Sequence, residues 1–340
     1  VHQSFEWSIE DEIKHVSMFR PHVVILGAGA SRAAFPSGDA NGKILPLMAD
    51  LVDALDLKTL IAEWNINPDQ GFEDIFSELY ERRETGKIEI LEDAVEAYFR
   101  DMRLPEKPTI YDHLLLSLRE QDLVASFNWD PLLVQAYRRN GAVAKLPRLA
   151  FLHGNVATGY CAQDRVKGYA LGCCSRCGRP FQRAPLLYPI GKKDYASHQF
   201  IASEWSELEQ NLKHAFMFTI FGYSAPKTDA EAIVAMSKAW GRPEERNLEQ
   251  TAFITLDSNI GKRWRSFIHS HHYEVQSDFY DSWIANHPRR SVEACWNQIM
   301  ELKFLHDNPI PRHTEFPELW AWITRFTAPE LEAEKSRARH

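Results

Sequence analysis

No stretch of this 340-residue chain approaches the ~20 consecutive apolar residues of a membrane-spanning helix. The first twenty residues carry Glu6, Glu10, Asp11 and Glu12 and lack the basic start and apolar centre of a secretory signal. Cationic excess is missing too. A net charge of -8 argues against general affinity for a nucleic-acid backbone, and no run of residues demands a local basic patch. Cysteine is scarce: of five in all, four fall between 161 and 177, which is a poor disulfide framework and a better candidate metal site. There is no internal repeat, and the chain is neither glycine- nor proline-rich. What is left is an ordinary globular composition, 44% hydrophobic and 25% charged, long enough for one large domain or two. The expected compartment is the cytoplasm.

Against that background, three apolar runs each close on a polar turn. Val23-Val24-Ile25-Leu26 leads into Gly27-Ala28-Gly29-Ala30-Ser31, Leu123-Val124-Ala125 into Ser126-Phe127-Asn128-Trp129-Asp130, and Leu149-Ala150-Phe151-Leu152 into His153-Gly154-Asn155. Two further runs, 216–221 and 252–256, end at Gly222-Tyr223-Ser224 and at Asp257. Strands alternating with helical patterns imply an α/β fold, a doubly wound, mainly parallel Rossmann-like sheet. In such a sheet ligands bind at the carboxyl ends of the strands, so these turns converge on one crevice.

Around the strands, residues 1–20 read as a polar helical arm. Apolar spacing of three and four over 44–64 and 72–100 predicts helices, and the span 44–120 is too long for a simple crossover, so it forms a helical cap. Residues 159–195 change to Gly, Cys, Arg, Lys and Pro and form a small cysteine-containing insert. The main domain runs over 21–260. Residues 261–328, with Trp283, Trp296, Trp320 and Trp322, are a C-terminal helical region, and 329–340 a flexible tail. The pair His271-His272, after Ser270, is given no catalytic role.

Each motif has a chemical and a plain structural reading. The glycine turn lets backbone approach a pyrophosphate at a helix start, or is simply a tight strand-to-helix turn. Ala33 and Ala34 lie where a third glycine of the dinucleotide fingerprint is expected, and no acidic residue stands cleanly about 20 residues on, which weakens a dehydrogenase reading. Asn128 can hold ribose hydroxyls or a water, while Asp130 supports positive charge or caps the next helix. His153, with an unperturbed pKa near ~6.5, can take a proton at neutral pH. Each is ambiguous alone. Their recurrence at three strand ends is what points to chemistry on a nucleotide.

The order Gly-Ala-Gly-x-Ser, Asn-x-Asp, His-Gly and then a cysteine cluster resembles the sirtuin superfamily over roughly residues 21–260. The resemblance implies that Gly27, Ala28, Gly29 and Ser31 hold NAD, that Asn128 and Asp130 line the nicotinamide-ribose pocket, and that His153 is the general base. Gly222 and Ser224 match a later Gly-x-Ser strand end that embraces the cofactor, and Asp257 is placed near the adenosine ribose.

The sequence also departs from the deacylases of that family. Ser126-Phe127-Asn128-Trp129-Asp130 stands for Thr-Gln-Asn-Ile-Asp. The span from Arg32 to Asp39 replaces Gly-Ile-Pro-Asp-Phe-Arg. Pro189-Ile190-Gly191-Lys192 lies near the place of the Phe-Gly-Glu groove segment. Retained NAD machinery with altered peptide-binding features resembles the divergent sirtuin-like domains of bacterial antiviral systems. That implies an NAD hydrolase, catalysed by Asn128, His153 and Asp130 and restrained by oligomerisation or a regulatory partner protein. An NAD-dependent protein deacylase and a non-catalytic NAD or ADP-ribose sensor are the alternatives. For the cysteines, Cys174-x-x-Cys177 with Cys161 and Cys173 supplies four ligands for a structural zinc ion, or His198 substitutes for one; a loop without metal is the other reading.

Overall fold

Side chains along an extended segment alternate between faces, and the apolar runs of this chain bury both. In the computed structural model, which describes residues 6–189, 195, 198–242, 244–246, 248–257, 259–260, 264–268 and 273–338, these runs form one central sheet. Residues 1–5 of the arm, 190–194 of the insert (with Ile190, Gly191 and Lys192), the Ser270-His271-His272 stretch and 339–340 lie outside the described residues.

A short strand, β1 (Glu6–Trp7), opens the chain. The sheet is then built from β2 (His22–Leu26), β3 (Leu123–Ser126) and β4 (Arg148–Phe151). The insert contributes β5 (Thr158–Cys161), β6 (Val166–Tyr169) and β7 (Gln182–Arg183) as a separate antiparallel sheet in the order β6-β5-β7. The chain then returns with β8 (Met217–Phe221), β9 (Gln250–Ile254) and β10 (Tyr273–Gln276). Last, β11 (Phe304–Leu305) pairs parallel with β1 and ties the two ends of the molecule together.

The six-stranded order β10-β9-β8-β2-β3-β4 is parallel throughout. The path therefore moves outward from β2 through β3 to β4, then restarts on the other side of β2 with β8. That reversal makes the β2–β8 boundary a topological switch point, the place at which open α/β sheets bind ligands. Register sets the depth of each turn: Leu26 sits beside Ser126 and Phe221, and Ser126 beside Phe151, so the turns after all four strands emerge together.

Val23 and Ile25 belong to one core face with Phe218, Phe253, Trp205 and Trp240, which includes the helices Gln199–His214 and Ala230–Trp240. Val24 and Leu26 belong to the other, with Phe151, Phe221 and the cap residues Phe72, Phe76, Leu91 and Val95. Each such fully buried side chain contributes about 1.5–3 kcal/mol relative to exposure. The cap helix Phe72–Glu81 buries Phe72, Ile75, Phe76 and Leu79, spaced three and four apart, while Tyr80 turns out to solvent.

The structure corrects the sequence reading in several places. Residues 44–64 are not one helix: Asp56 takes a φ of 54° between the short helices Leu51–Ala54 and Lys58–Glu63. The region 261–328 is not purely helical, because β10 extends the main sheet beyond residue 260. The tail expected from 329 continues the helix Phe316–Arg337, held because Glu330 pairs with the buried Arg289 (2.6 Å) and Arg290 (2.8 Å). Among the described residues, no helix is long and apolar enough to cross a membrane.

Candidate active site

The switch point is built by backbone meeting backbone. Gly27 N–H donates to Phe221 O (3.0 Å), Gly29 N–H to Gly222 O (2.9 Å), and Gly222 N–H to Ile254 O (3.0 Å). A Cβ on Gly27 would lie 2.5 Å from Tyr223 Cα, and one on Gly29 2.8 Å from Gly222 O. These glycines are thus demanded first by the crossing of the β2 and β8 turns. Gly222 adds a φ of 62°, a conformation that favours glycine. Ala28 starts the short helix Ala28–Ala34 immediately beyond this contact.

Ser31 points inward from that helix and is buried. Its hydroxyl donates to Asp130 Oδ2 (2.7 Å) and lies 2.6 Å from the Tyr111 hydroxyl. Asn128, half-buried after β3, donates through Nδ2 to Gly27 O (2.9 Å), Ser31 Oγ (2.9 Å) and Tyr111 Oη (3.3 Å). The backbone carbonyl of Gly27 settles the amide's orientation, because only the nitrogen can face it as a donor. Burial raises the Asp130 carboxyl above its ordinary value, opposed by the Ser31 hydroxyl and the Leu132 N–H. The Leu132 contact (3.1 Å) also shows Asp130 accepting from the first turn of the helix Leu132–Asn140, so its capping and pocket readings coexist.

His153 follows β4 and is only 5% exposed. Phe127 meets its ring edge to face at 4.7 Å, and Tyr195 stacks on it at 6.1 Å. Its Nε2 lies 3.6 Å from Asp229 Oδ1. The other carboxylate oxygen of Asp229 accepts from the Tyr223 hydroxyl (2.7 Å), and Tyr223 stacks on Phe127 at 4.1 Å. Gly154, at a φ of 77°, lets the insert's Pro185 approach: a Cβ would meet Pro185 O at 1.9 Å. Asn155 stitches the two turns together, donating from Nδ2 to Asp130 O at 2.6 Å.

The structure therefore gathers Gly27, Gly29, Gly222, Ser31, Asn128 and Asp130 into one connected cluster, with His153 on the adjoining turn against Phe127. Ser224 is exposed past the β8 turn. Asp257 lies past β9, half-buried, with Oδ1 accepting from Asn259 N–H in a local turn. Three participants had no signal in the sequence. Tyr111 comes from the cap helix Ile110–Leu116, Asp229 from the segment before the helix Ala230–Trp240, and Tyr195 from the end of the insert.

In the insert, Cys161, Asp164, Cys174 and Cys177 bring their ligand atoms within 4.8 Å of one another. Cys161 and Cys177 sulfurs are 3.7 Å apart, and Asp164 Oδ2 lies 3.4 Å from Cys161 Sγ and 3.2 Å from Cys174 Sγ. Tetrahedral zinc with sulfur bonds near ~2.3 Å requires ligand edges of roughly 3.8 Å, so the cluster has the right size and donor chemistry. Its fourth member is Asp164 instead of Cys173, which is exposed and bridges Pro180 through backbone. His198 is elsewhere: its Nδ1 caps the helix Gln199–His214 and its Nε2 meets Tyr160 Oη.

No family model and no curated protein matches the sequence. Among solved structures, a serine-to-alanine mutant of a Sir2 homologue with ADP-ribose is 12% identical, covering 86% of this chain and 97% of that one, at a TM-score of 0.39. A Sir2 homologue in complex with NAD is 12% identical over 86% of this chain and 96% of its own, at 0.35. Sir2Tm bound to a propionylated peptide is 16% identical over 83% and 93%, at 0.33.

Proposed function

We propose that this chain is a sirtuin-like NAD glycohydrolase, cleaving the nicotinamide–ribose bond to give nicotinamide and ADP-ribose. The observation that supports the reading is that Asn128 bonds the glycine turn at the β2–β8 switch point while His153, on the adjoining turn after β4, packs against the neighbouring Phe127. An amide whose nitrogen is already committed and an imidazole at the end of the next strand suit a reaction in which water attacks a sugar carbon.

In that reaction the C1′–N1 bond breaks and its electron pair neutralises the pyridinium, so nicotinamide leaves without help from an acid. Water bonds to C1′ and loses a proton. His153 takes that proton directly or through a ribose hydroxyl, while Asn128 orients the water or the ribose. Asp130 stabilises the positive charge that develops on the sugar, working through its fixed place in the cluster. The glycine turn and the start of the helix Ala28–Ala34 hold the pyrophosphate, with Gly222 and Ser224 embracing the cofactor and Asp257 toward the adenosine ribose.

The insert's Cys161, Asp164, Cys174 and Cys177 would hold a structural zinc ion. Bound there, the metal would keep the thiols deprotonated and cross-link a module whose own core is small. Unrestrained NAD hydrolysis is toxic, so the activity is proposed to be regulated by self-association or a partner protein. A role as an antiviral-defence effector rests on the sequence resemblance.

The test is incubation of wild type, Asn128→Ala and His153→Ala with NAD, followed by chromatography of the products. Nicotinamide with ADP-ribose from wild type alone, and turnover lower by ~10²–10⁴-fold in either variant, supports the assignment. Nicotinamide release strictly dependent on an acylated peptide would make the chain a deacylase. Nucleotide affinity without turnover would make it a sensor.

A further inference from the structure

The Asn128 amide is not held by its own loop alone. Tyr111 is 1% exposed and reaches the site from the cap helix Ile110–Leu116, which no strand-end motif includes. Its position is set by the cap. The helix starts on a box in which Asp112 Oδ2 accepts from Thr109 N–H (2.7 Å) and Oγ1–H (2.7 Å). Asp112 is in turn gripped by Arg139 and Asn140, and the Tyr111 ring meets Phe35 edge to face at 5.4 Å.

Counting protons fixes the direction of every bond in the cluster. Ser31 has one hydroxyl proton, and it goes to the carboxylate of Asp130. Ser31 Oγ must then accept at 2.6 Å from Tyr111, so the phenol is the donor in that contact. The Tyr111 oxygen keeps lone pairs for Asn128 Nδ2, whose two protons are shared among Gly27 O, Ser31 Oγ and Tyr111 Oη. Burial of Tyr111 and the nearby Asp130 charge both raise the phenol's pKa, which keeps it a donor. With the nitrogen turned into the buried cluster, Oδ1 is the amide atom left to the half-exposed side of Asn128.

We propose that Tyr111 is a positioning residue: with Ser31 and Asp130 it locks Asn128 so that its Oδ1 works only as a hydrogen-bond acceptor, for the attacking water or a ribose hydroxyl. This rests on the hydrolase reading for its catalytic consequence, but the lock itself is independent of it. It also makes the cap a working part of the site, because the helix that carries Tyr111 belongs to the cap and not to the sheet.

The experiment is Tyr111→Phe, which keeps the ring and removes only the hydroxyl, read by crystal structure and by NAD kinetics. The expected structure shows Asn128 Nδ2 moved off Gly27 O in an otherwise unchanged fold. The expected kinetics show kcat lower by tenfold or more with KM within twofold. Tyr111→Phe combined with Ser31→Ala should be no slower than the slower single variant, as for residues acting as one unit. An unmoved Asn128 overturns the proposal, and so does a kcat within twofold of wild type. Should wild type release no nicotinamide at all, the hydrolase reading falls, and the Asn128 position in Tyr111→Phe alone decides the lock.

Discussion

His153 and Asp229, carried by the segments after β4 and β8, face each other with Nε2 3.6 Å from Oδ1, and both are almost fully buried. In the proposed reaction a carboxylate beside the imidazole would stabilise the protonated ring that forms when His153 takes the proton. Tyr223 donates to the far oxygen of Asp229 and so fixes the carboxylate's direction.

Asp229→Asn keeps the shape and removes the charge. On the proposed reading, turnover of NAD should fall by up to ~10⁴-fold, the scale of replacing the carboxylate behind a catalytic histidine by an amide. Tyr223→Phe, which frees one oxygen without removing charge, should cost far less. Steady-state kinetics on the two variants decides the matter, and equal losses would show that packing, not charge, is what Asp229 supplies.

Glycines of similar backbone conformation should differ sharply in tolerance. Gly222 has a φ of 62°, and a Cβ there would sit 2.1 Å from Ala30 N in the helix after β2. Gly42 has a φ of 78° with nothing within 4 Å of its Cβ. Left-handed strain alone costs about 1–2 kcal/mol, and a clash with backbone that cannot yield adds about 1–3. Gly42→Ala should therefore lose about 1–2 kcal/mol in urea unfolding, and Gly222→Ala about 2–5. Comparable losses at the two positions would disprove the close crossing of the β2 and β8 turns.

Much of the sheet could be read in advance because its signals are local. An apolar run ended by Gly-x-Gly, Asn-x-Asp or His-Gly announces both a buried strand and the turn at its carboxyl end. The edge strand β10 carries no such signal: Tyr273-Glu274-Val275-Gln276 alternates between exposed and half-buried and resembles loop sequence. Tyr111 and Asp229 were hidden for another reason. They lie 17 residues before Asn128 and 76 after His153, and only the fold brings them near. Asp164 was invisible because a cysteine pattern draws the eye to Cys173, four residues before Cys177, while the hairpin between β5 and β6 presents a carboxylate instead. The helix beyond Pro329 persists through burial of Glu330 against two arginines, a tertiary effect that composition does not report.

Two buried histidines give stability a defined pH dependence. His22 lies between Ser291 Oγ (2.9 Å) and Thr219 Oγ1 (2.7 Å), and burial pulls its pKa down to about 3. His113, against Tyr280 Oη, is pulled down to about 4, again mainly by burial. Unfolded, both titrate near ~6.5. Between those values the unfolded chain binds more protons, so stability is complete above pH ~6.5 and declines as pH falls toward 3–4. Each histidine contributes a slope of up to about 1.4 kcal/mol per pH unit. Urea unfolding of wild type and His22→Gln across pH 4.5–7 should give a shallower dependence for the variant, by one proton. Parallel curves would mean that His22 is not held neutral in the folded protein.

The insert separates two ligand sets that the sequence could not. If Asp164 closes the cluster, Cys173→Ser should bind one zinc per chain like wild type, because Cys173 is exposed and engaged through backbone only. Cys174→Ser and Asp164→Ala should each lose the metal or release it readily to a chelator. The Asp164 carboxylate beside Cys177 pushes that thiol up to about 12. Displacement of that proton by a metal makes binding pH-dependent. Elemental analysis after gel filtration, with thermal unfolding before and after chelation, reads both effects. Because Lys167 of β6 pairs with Glu204 (2.7 Å), which also accepts from Phe151 N–H in β4, chelation should lower the unfolding temperature of the whole domain. Zinc retained by Asp164→Ala but lost from Cys173→Ser would instead establish four cysteines as the ligands.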